Sequence, residues 1–260
     1  MATEPKRRPR AGVDARDLIG DAARGLDGST RRRFLARVTS LGAMAALVGC
    51  DVIDGPSAEE ALRRVSEWND RVQAWLFDPE RMAETYPESA IDDPFPFNAF
   101  YGPEQAPTIA EAGYELYVEG LVADKSRWRL DALRALPQTS QVTRHICIEG
   151  WSAVGKWSGT PLRTFLERIG ADLSARYVAF LCADRYETSL DMATALHPQT
   201  LMAFGFGDGV LPRQYGFPMK IRVPTKLGFK NPKHVVQLTV TNDPIDGFWE
   251  REGYNWFSGL

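Results

Sequence analysis

The first regular pattern of apolar side chains lies in residues 58–86, where they recur at spacings of three and four. Because that period places them along one side of a helix, it predicts an amphipathic helix at the start of this segment. The stretch from Pro87 to Pro107 contains five prolines, which exclude a helix or a central strand. Its aromatic residues predict an ordered segment that packs against the rest of the protein.

From residue 114 onward, short apolar stretches typical of strands alternate with short helical ones. Strands are predicted at residues 114–122, 142–148, 177–183, 187–190, 201–206, 210–211, 219–223 and 235–241, and helices at residues 130–136 and 161–169. Thr160 is the expected N-cap of the second helix and Gly170 its expected end. The Gly207-Asp208-Gly209 sequence predicts a hairpin turn. The pattern therefore predicts an α+β fold, a strand-rich domain built on mixed sheet.

Composition and charge exclude several classes of protein. With 260 residues, of which 44% are hydrophobic, the chain can bury a sizeable core and is not predominantly disordered. Residues 1–49 carry 10 basic and 5 acidic side chains, which leaves residues 50–260 with a net charge of −8. Such a chain is repelled by phosphate backbones and anionic lipid surfaces, which argues against sequence-independent nucleic-acid binding. Three cysteines are too few for a disulfide scaffold.

The first 49 residues have the layout of an export signal. Ser29-Thr30-Arg31-Arg32-Arg33-Phe34-Leu35 resembles a twin-arginine signal, and Leu47-Val48-Gly49-Cys50 resembles the lipobox of bacterial lipoproteins. The resemblance implies export in the folded state, acylation of Cys50 and a periplasmic or other extracytoplasmic location at the membrane. A basic disordered arm before an ordinary helix is the alternative.

Three segments are expected on this basis. Residues 1–49 form the signal, residues 50–110 the N-terminal helix with the proline-rich stretch, and residues 111–260 the main domain.

Most familiar catalytic motifs are absent, and Cys147 is the strongest candidate for chemistry. The chain contains no G-x-S-x-G, P-loop or H-E-x-x-H motif, and its three histidines are too scattered to indicate a zinc site. Cys147 lies at the end of a predicted strand, near Arg144 and His145, which favour the thiolate that binds soft metals. A buried free thiol and a disulfide to Cys182 remain open as alternatives.

The residues around Cys147 resemble the molybdenum-binding segment of the sulfite oxidase superfamily. The resemblance rests on Cys147-Ile148-Glu149-Gly150-Trp151-Ser152, Trp157-Ser158-Gly159-Thr160-Pro161-Leu162 and the stretches 177–180, 196–202, 211–220 and 226–230, which follow in the same order. It runs from about Asn98 to His234. Within the superfamily, the chain is most similar to the family of periplasmic protein-methionine-sulfoxide reductase catalytic subunits.

The resemblance implies a molybdenum–molybdopterin cofactor whose metal is ligated by the Cys147 thiolate. The implied cofactor-binding residues are Asn98, Tyr101, Cys147, Cys182, Tyr215, Lys220, Asn231 and Lys233. Gly102, Tyr215 and Lys220 depart from the reductase pattern, which has an acidic residue, an asparagine and an arginine there. Lys220 keeps the positive charge without the bidentate geometry of arginine.

The implied reaction is oxygen-atom transfer, in which the cofactor carries the chemistry and the protein supplies position and charge. Sulfite oxidases follow the ligating cysteine with Ala-Gly-Asn-Arg, whereas Ile148-Glu149-Gly150-Trp151 offers no cation to a dianion. We therefore expect reduction of a sulfoxide such as methionine sulfoxide, with Trp151 and Trp157 either at the substrate entrance or in the core. A sulfite-oxidising dehydrogenase and a non-catalytic lipoprotein that keeps the fold are the alternatives.

Electrons must reach such an enzyme from a partner, because the chain has no C-x-x-C-H motif for covalent haem. The resemblance implies a haem-bearing membrane subunit or a quinol-linked donor. It also implies a monomer, since the immunoglobulin-like dimerisation domain of larger sulfite oxidases is not found.

Overall fold

The computed structural model describes residues 56–260, with side chains from Leu62 onward and that of Glu60. The chain divides into two compact units at residue 61, and the second unit, residues 62–260, contains every element below except the first turns of helix α1. The predicted export signal and Cys50 lie outside the described residues.

Five α-helices and ten strands, together with five 3-10 helices of three residues each, make up the regular structure of residues 56–260. The helices are α1 (Pro56–Leu76), α2 (Leu130–Arg134), α3 (Leu162–Arg168), α4 (Met192–Ala195) and α5 (Phe248–Arg251). The strands are β1 (Glu115–Gly120), β2 (Trp128–Arg129), β3 (Thr139–Ile146), β4 (Ser152–Pro161), β5 (Tyr177–Cys182), β6 (Glu187–Asp191), β7 (Leu201–Phe206), β8 (Gly209–Val210), β9 (Lys220–Arg222) and β10 (Val235–Thr241). No helix between residues 56 and 260 has both the length and the hydropathy of a bilayer-spanning segment.

The strands form two five-stranded sheets. The first has the order β2-β1-β10-β5-β6, in which β1 and β10 run parallel and the other pairs antiparallel. The second has the antiparallel order β3-β4-β7-β8, and β9 also pairs with β7. The α+β expectation, with strand-rich mixed sheet, is confirmed.

Two hydrophobic clusters hold these layers together. The larger one joins the first sheet to α2, α3 and the inner residues of β7 and β9, including Phe165, Leu238 and Ile221. The smaller one packs Phe95 of the proline-rich stretch edge-on against Trp157, with ring centroids 5.6 Å apart. Because Phe95 is only 6% exposed, the prediction that this stretch is ordered and packed is confirmed.

Strand β4 is absent from the sequence-based prediction, because its Gly155, Gly159 and Pro161 are typical of turns. The structure uses Gly159 for close approach instead: a Cβ there would lie 1.9 Å from the Met202 carbonyl oxygen of β7. The predicted N-cap at Thr160 is also wrong, since Pro161 precedes α3 and the Thr160 hydroxyl accepts a hydrogen bond from Gln138 Nε2 at 2.6 Å.

Gly159→Ala should lower the free energy of unfolding by about 2 kcal/mol, because β4 and β7 must separate to admit the methyl group. The matched control is Gly113→Ala, where an added Cβ meets no atom within 4 Å. Denaturant unfolding followed by circular dichroism measures both. Equal stability of the two variants would contradict the close contact.

Candidate active site

Four loops enclose a cavity beside the ends of β3, β5 and β9. The β3–β4 hairpin contributes Cys147, and residues 98–101 of the proline-rich stretch form the facing wall. Asp184 comes from the turn between β5 and β6, and residues 231–233 come from the connection between β9 and β10. These segments are far apart in sequence, so the fold alone brings them together.

Five of the eight residues expected to bind a cofactor line this cavity. They are Asn98, Tyr101, Cys147, Asn231 and Lys233. The other three, Cys182, Tyr215 and Lys220, lie outside its lining and are buried.

Cys147 lies at the start of the β3–β4 hairpin, and the turn fixes its position. Its backbone N–H donates to the Trp151 carbonyl at 2.9 Å, and Gly150, with φ +89°, closes the turn in a conformation that favours glycine. The side chain is 7% exposed. The thiol therefore faces the cavity from a hairpin in which every residue of β3 is paired with β4.

The protein around Cys147 does not by itself favour the thiolate, and this corrects the expectation from the sequence. Burial raises the pKa of the thiol, and the Glu149 carboxylate raises it further, although the backbone N–H groups of Ile148 and Glu149 oppose this shift. The Arg144 guanidinium instead stacks over Tyr86, 4.9 Å from the ring centroid. A bound metal would have to supply the charge that holds the thiolate.

Cys147 and Cys182 are both free thiols, so the disulfide alternative is wrong. Cys182 ends β5 in the main hydrophobic cluster, 2% exposed, and burial raises its pKa well above the usual value.

His145 lies behind the cavity, two residues before Cys147 on β3. Its Nε2 is 3.4 Å from Asn98 Nδ2, and its Nδ1 is 3.5 Å from a guanidinium nitrogen of Arg222. Burial lowers its pKa well below the usual value, and the charges of Lys220, Arg222 and Lys233 lower it further. This imidazole is therefore neutral at neutral pH and does not act as the cation that the sequence suggested.

Lys220 brings a buried positive charge to the site from β9. It is 2% exposed, and its Nζ lies 4.8 Å from the centroid of the Trp157 ring. Burial lowers the pKa of Lys220 well below its usual value, and the neighbouring charges of Lys233 and Arg222 lower it further, whereas a thiolate at Cys147 would oppose this shift. Trp157 is thus a fully buried platform beneath Lys220, not part of a substrate entrance.

Arg222 is a buried cation near the site that the sequence patterns did not single out. It is fully buried, and its guanidinium donates to neutral oxygens: Asn231 Oδ1 at 2.9 Å, Thr143 Oγ1 at 3.1 Å and the Arg144 carbonyl at 2.6 Å. Burial lowers its pKa to about 9. The signal was available, because residues 220 and 222 of a predicted strand must point to the same side.

Lys233 joins the cavity wall to the facing loop. Its Nζ donates to the Asn98 carbonyl at 2.5 Å, and burial lowers its pKa to about 8 although Asp184 opposes the shift. Tyr101 donates its hydroxyl to Asp184 Oδ2 at 2.7 Å. These bonds tie residues 98–101 to the β5–β6 turn and to the connection before β10.

Asn231 and Tyr215 are occupied by structural hydrogen bonds. Asn231 Oδ1 also accepts from the Val223 N–H at 2.7 Å, and its Nδ2 donates to the Leu227 carbonyl at 3.1 Å. Tyr215 donates its hydroxyl to the Phe95 carbonyl at 2.5 Å, which secures the proline-rich stretch. Both side chains shape the site by holding its loops.

Cys147 shares its cavity with one lysine, Lys233, and with the carboxylates of Glu149 and Asp184, and two more cationic side chains, Lys220 and Arg222, are buried on β9. Among the residues whose side chains the structure describes, no carboxylate oxygen lies within ion-pair distance of Lys220, Arg222 or Lys233. Arg222 Nε, Trp157 Nε1 and His234 Nε2 are among the buried nitrogens that have no hydrogen-bond partner. Buried cations and unsatisfied nitrogens are costly unless an anion is bound. One sulfur and a surrounding set of cations fit a metal-bearing, phosphate-bearing anionic cofactor.

Comparison with known proteins supports this interpretation. Residues 103–249 match the model of the oxidoreductase molybdopterin binding domain. The chain is 54% identical to a protein of Azospira oryzae that is provisionally named protein-methionine-sulfoxide reductase subunit YedZ1, over 94% of this chain and 93% of that protein. It is 33% identical to the protein-methionine-sulfoxide reductase catalytic subunit MsrP of Ralstonia nicotianae, over 62% of this chain and 58% of that protein.

A solved structure shares the fold. The sulfane dehydrogenase SoxCD from Paracoccus pantotrophus matches with a TM-score of 0.51 at 19% identity, over 56% of this chain and 42% of that one. The family model covers more than half of the chain, and the Azospira relative matches almost all of it. The chain therefore belongs to the oxidoreductase molybdopterin-binding domain family of the sulfite oxidase superfamily and is an oxidoreductase.

Proposed function

We propose that this protein holds a molybdenum–molybdopterin cofactor at Cys147 and reduces a sulfoxide, with methionine sulfoxide as the substrate. The observation that carries the proposal is the buried thiol of Cys147 in a cavity that Lys233 lines, with Lys220 buried close by and without a carboxylate partner among the described residues. The names of the relatives from Azospira and Ralstonia support the substrate.

The residues of the cavity would hold the cofactor in distinct ways. Cys147 would ligate the metal, and Lys233, with Lys220 behind it, would offset the negative charge of the cofactor. Asn98, Tyr101 and Asn231 would shape the wall against which the pterin lies. The contacts expected of Cys182 and Tyr215 stay predictions. When bound, the cofactor supplies two-electron oxygen-atom transfer.

The chain's own groups at the cavity favour a neutral substrate over a dianion. Glu149 is exposed beside Cys147, and the Trp151 Nε1–H donates to its carboxylate at 2.8 Å, which holds that negative charge near the thiol. Phe100 and Trp249 add aromatic surface to the lining. A carboxylate repels sulfite, whereas aromatic rings attract the sulfur and methyl groups of a methionine sulfoxide.

The place of action and the electron donor are parts of the same proposal. The resemblance of residues 29–35 to a twin-arginine signal and of residues 47–50 to a lipobox supports an enzyme that works outside the cytoplasm, exported folded and anchored through an acylated Cys50. A haem-bearing or quinol-linked membrane partner would deliver electrons to a monomeric catalytic unit.

Cys147→Ser should abolish molybdenum binding, because a hydroxyl is a poor ligand for a soft metal site. The measurement is elemental analysis of protein purified from a molybdenum-replete host, with thermal unfolding to verify the fold. Cys182→Ala is the matched control, since this thiol lies in the core, and it should retain stoichiometric molybdenum. Full molybdenum in Cys147→Ser would contradict the assigned ligand, and loss in Cys182→Ala would support a pterin contact by that thiol.

The purified holoenzyme should reduce methionine sulfoxide with a reduced dye as the electron source and should turn over sulfite poorly with an oxidised dye. Glu149→Gln should improve sulfite turnover, because it removes the carboxylate that repels the dianion. Steady-state kinetics with both substrates tests this. Efficient sulfite oxidation by the unmodified enzyme would reverse the proposed direction of oxygen transfer.

Lys220→Met should stabilise the cofactor-free protein by about 1–3 kcal/mol, because it removes a buried charge without an ionic partner. The same variant should bind less molybdopterin. Lys230→Met is the contrasting control: Lys230 pairs with the buried Glu250 at 2.5 Å, so this change should destabilise the protein. Chemical unfolding of protein made without the cofactor measures both, and destabilisation by Lys220→Met would contradict an uncompensated charge.

A further inference from the structure

Helix α1 packs against the protein through its polar side. Asp70 accepts hydrogen bonds from the backbone N–H groups of Trp256 and Phe257 at 3.1 and 2.8 Å, and Gln73 accepts one from Gly259 at 3.0 Å. Asn69 donates to the side chain of Asn255 at 3.0 Å. The C-terminal segment is therefore held by polar groups that recur at spacings of three and four along the helix.

A second side of α1, next to the polar one, is apolar and faces solvent. Val65, Trp68, Trp75 and Leu76 are 62%, 60%, 79% and 65% exposed. At 100° per residue these four lie within one arc of about 100°, with Asn69 at its edge and with Gln73 and Asp70 progressively farther round the helix. These apolar side chains therefore do not pack on the core.

We propose that this apolar face of α1 is a membrane-binding surface that lies in the interface of a lipid bilayer. Tryptophan and leucine on one side of a helix with arginines beside them, here Arg71 in the adjacent arc, are typical of interfacial helices. Tryptophan in particular favours the headgroup region, where its ring is buried and its N–H stays hydrated.

The chain that precedes the helix favours lipid as the occupant. Cys50, the residue that the lipobox would acylate, lies six positions before Pro56, where α1 begins. Six residues span at most about 20 Å when fully extended, so an acyl anchor at Cys50 would hold the start of α1 close to the bilayer. One acyl chain binds weakly, and a second contact makes anchoring stable.

Apolar burial, not charge, would drive this contact. Residues 50–260 carry a net charge of −8, so an anionic bilayer repels the domain as a whole. Binding should therefore occur on zwitterionic vesicles and should change little with added salt. This behaviour distinguishes an inserted helix face from electrostatic adsorption.

The test is co-sedimentation of the full chain carrying Cys50→Ser, which removes the acylation site, with phosphatidylethanolamine–phosphatidylcholine vesicles. The double substitution Trp68→Gln and Trp75→Gln should weaken binding about tenfold or more, since two large apolar groups leave the interface. Val210→Gln is the matched control, because Val210 is equally exposed at 60% but lies on β8. It should leave binding unchanged, and the molybdenum content of all variants should be equal.

Two outcomes would overturn the proposal. One is absence of binding to protein-free vesicles by the Cys50→Ser chain. The other is binding that survives the double tryptophan substitution. If the chain does not bind vesicles but forms a concentration-dependent dimer, and the double substitution dissociates that dimer, the apolar face instead binds a second copy of this chain. Because molybdenum content is measured in parallel, failure here is distinguishable from failure of the proposed catalytic function.

Discussion

Three cationic side chains are buried around Cys147 without carboxylate partners among the described residues, and the architecture of the site follows from this charge. Burial lowers the pKa values of Lys220, Arg222 and Lys233, because removing each charged group from water costs free energy. Lys230 shows the usual arrangement of a buried lysine, since it is equally buried but forms an ion pair with Glu250. A protein retains uncompensated charge where an anion is to be bound.

The rest of the fold keeps these cations in place. Arg222 uses neutral oxygens from β3 and from Asn231, so it links the strand before Cys147 to the loop that carries Lys233. Trp157 supports Lys220 from below. The glycine at 159 lets β4, which carries that tryptophan, approach β7. The packing of the second sheet and the position of Lys220 therefore depend on the same few residues.

Sequence patterns predict much of the fold and part of the site. Strands β5, β7 and β10 are predicted by short apolar stretches of the sequence, the packed role of Phe95 is predicted by composition, and both predictions are confirmed. Strand β4 is not predicted, because its glycines allow close approach to residues distant in the sequence, and a local sequence pattern carries no information on such contacts. The expectation of an activated Cys147 fails for a related reason. Arg144 stacks on Tyr86 and His145 is buried and neutral, so these two residues are close to Cys147 in the sequence but do not stabilise its thiolate with a positive charge.

The central claim is that the sulfur of Cys147 is bonded to molybdenum inside this cavity. Crystals of the holoenzyme measured at wavelengths on both sides of the molybdenum absorption edge locate the metal directly. The account predicts one strong anomalous peak within bonding distance of Cys147 Sγ, on the side that faces Lys233. A peak at another site, or a Cys147 sulfur without a metal in protein that contains stoichiometric molybdenum, would contradict it.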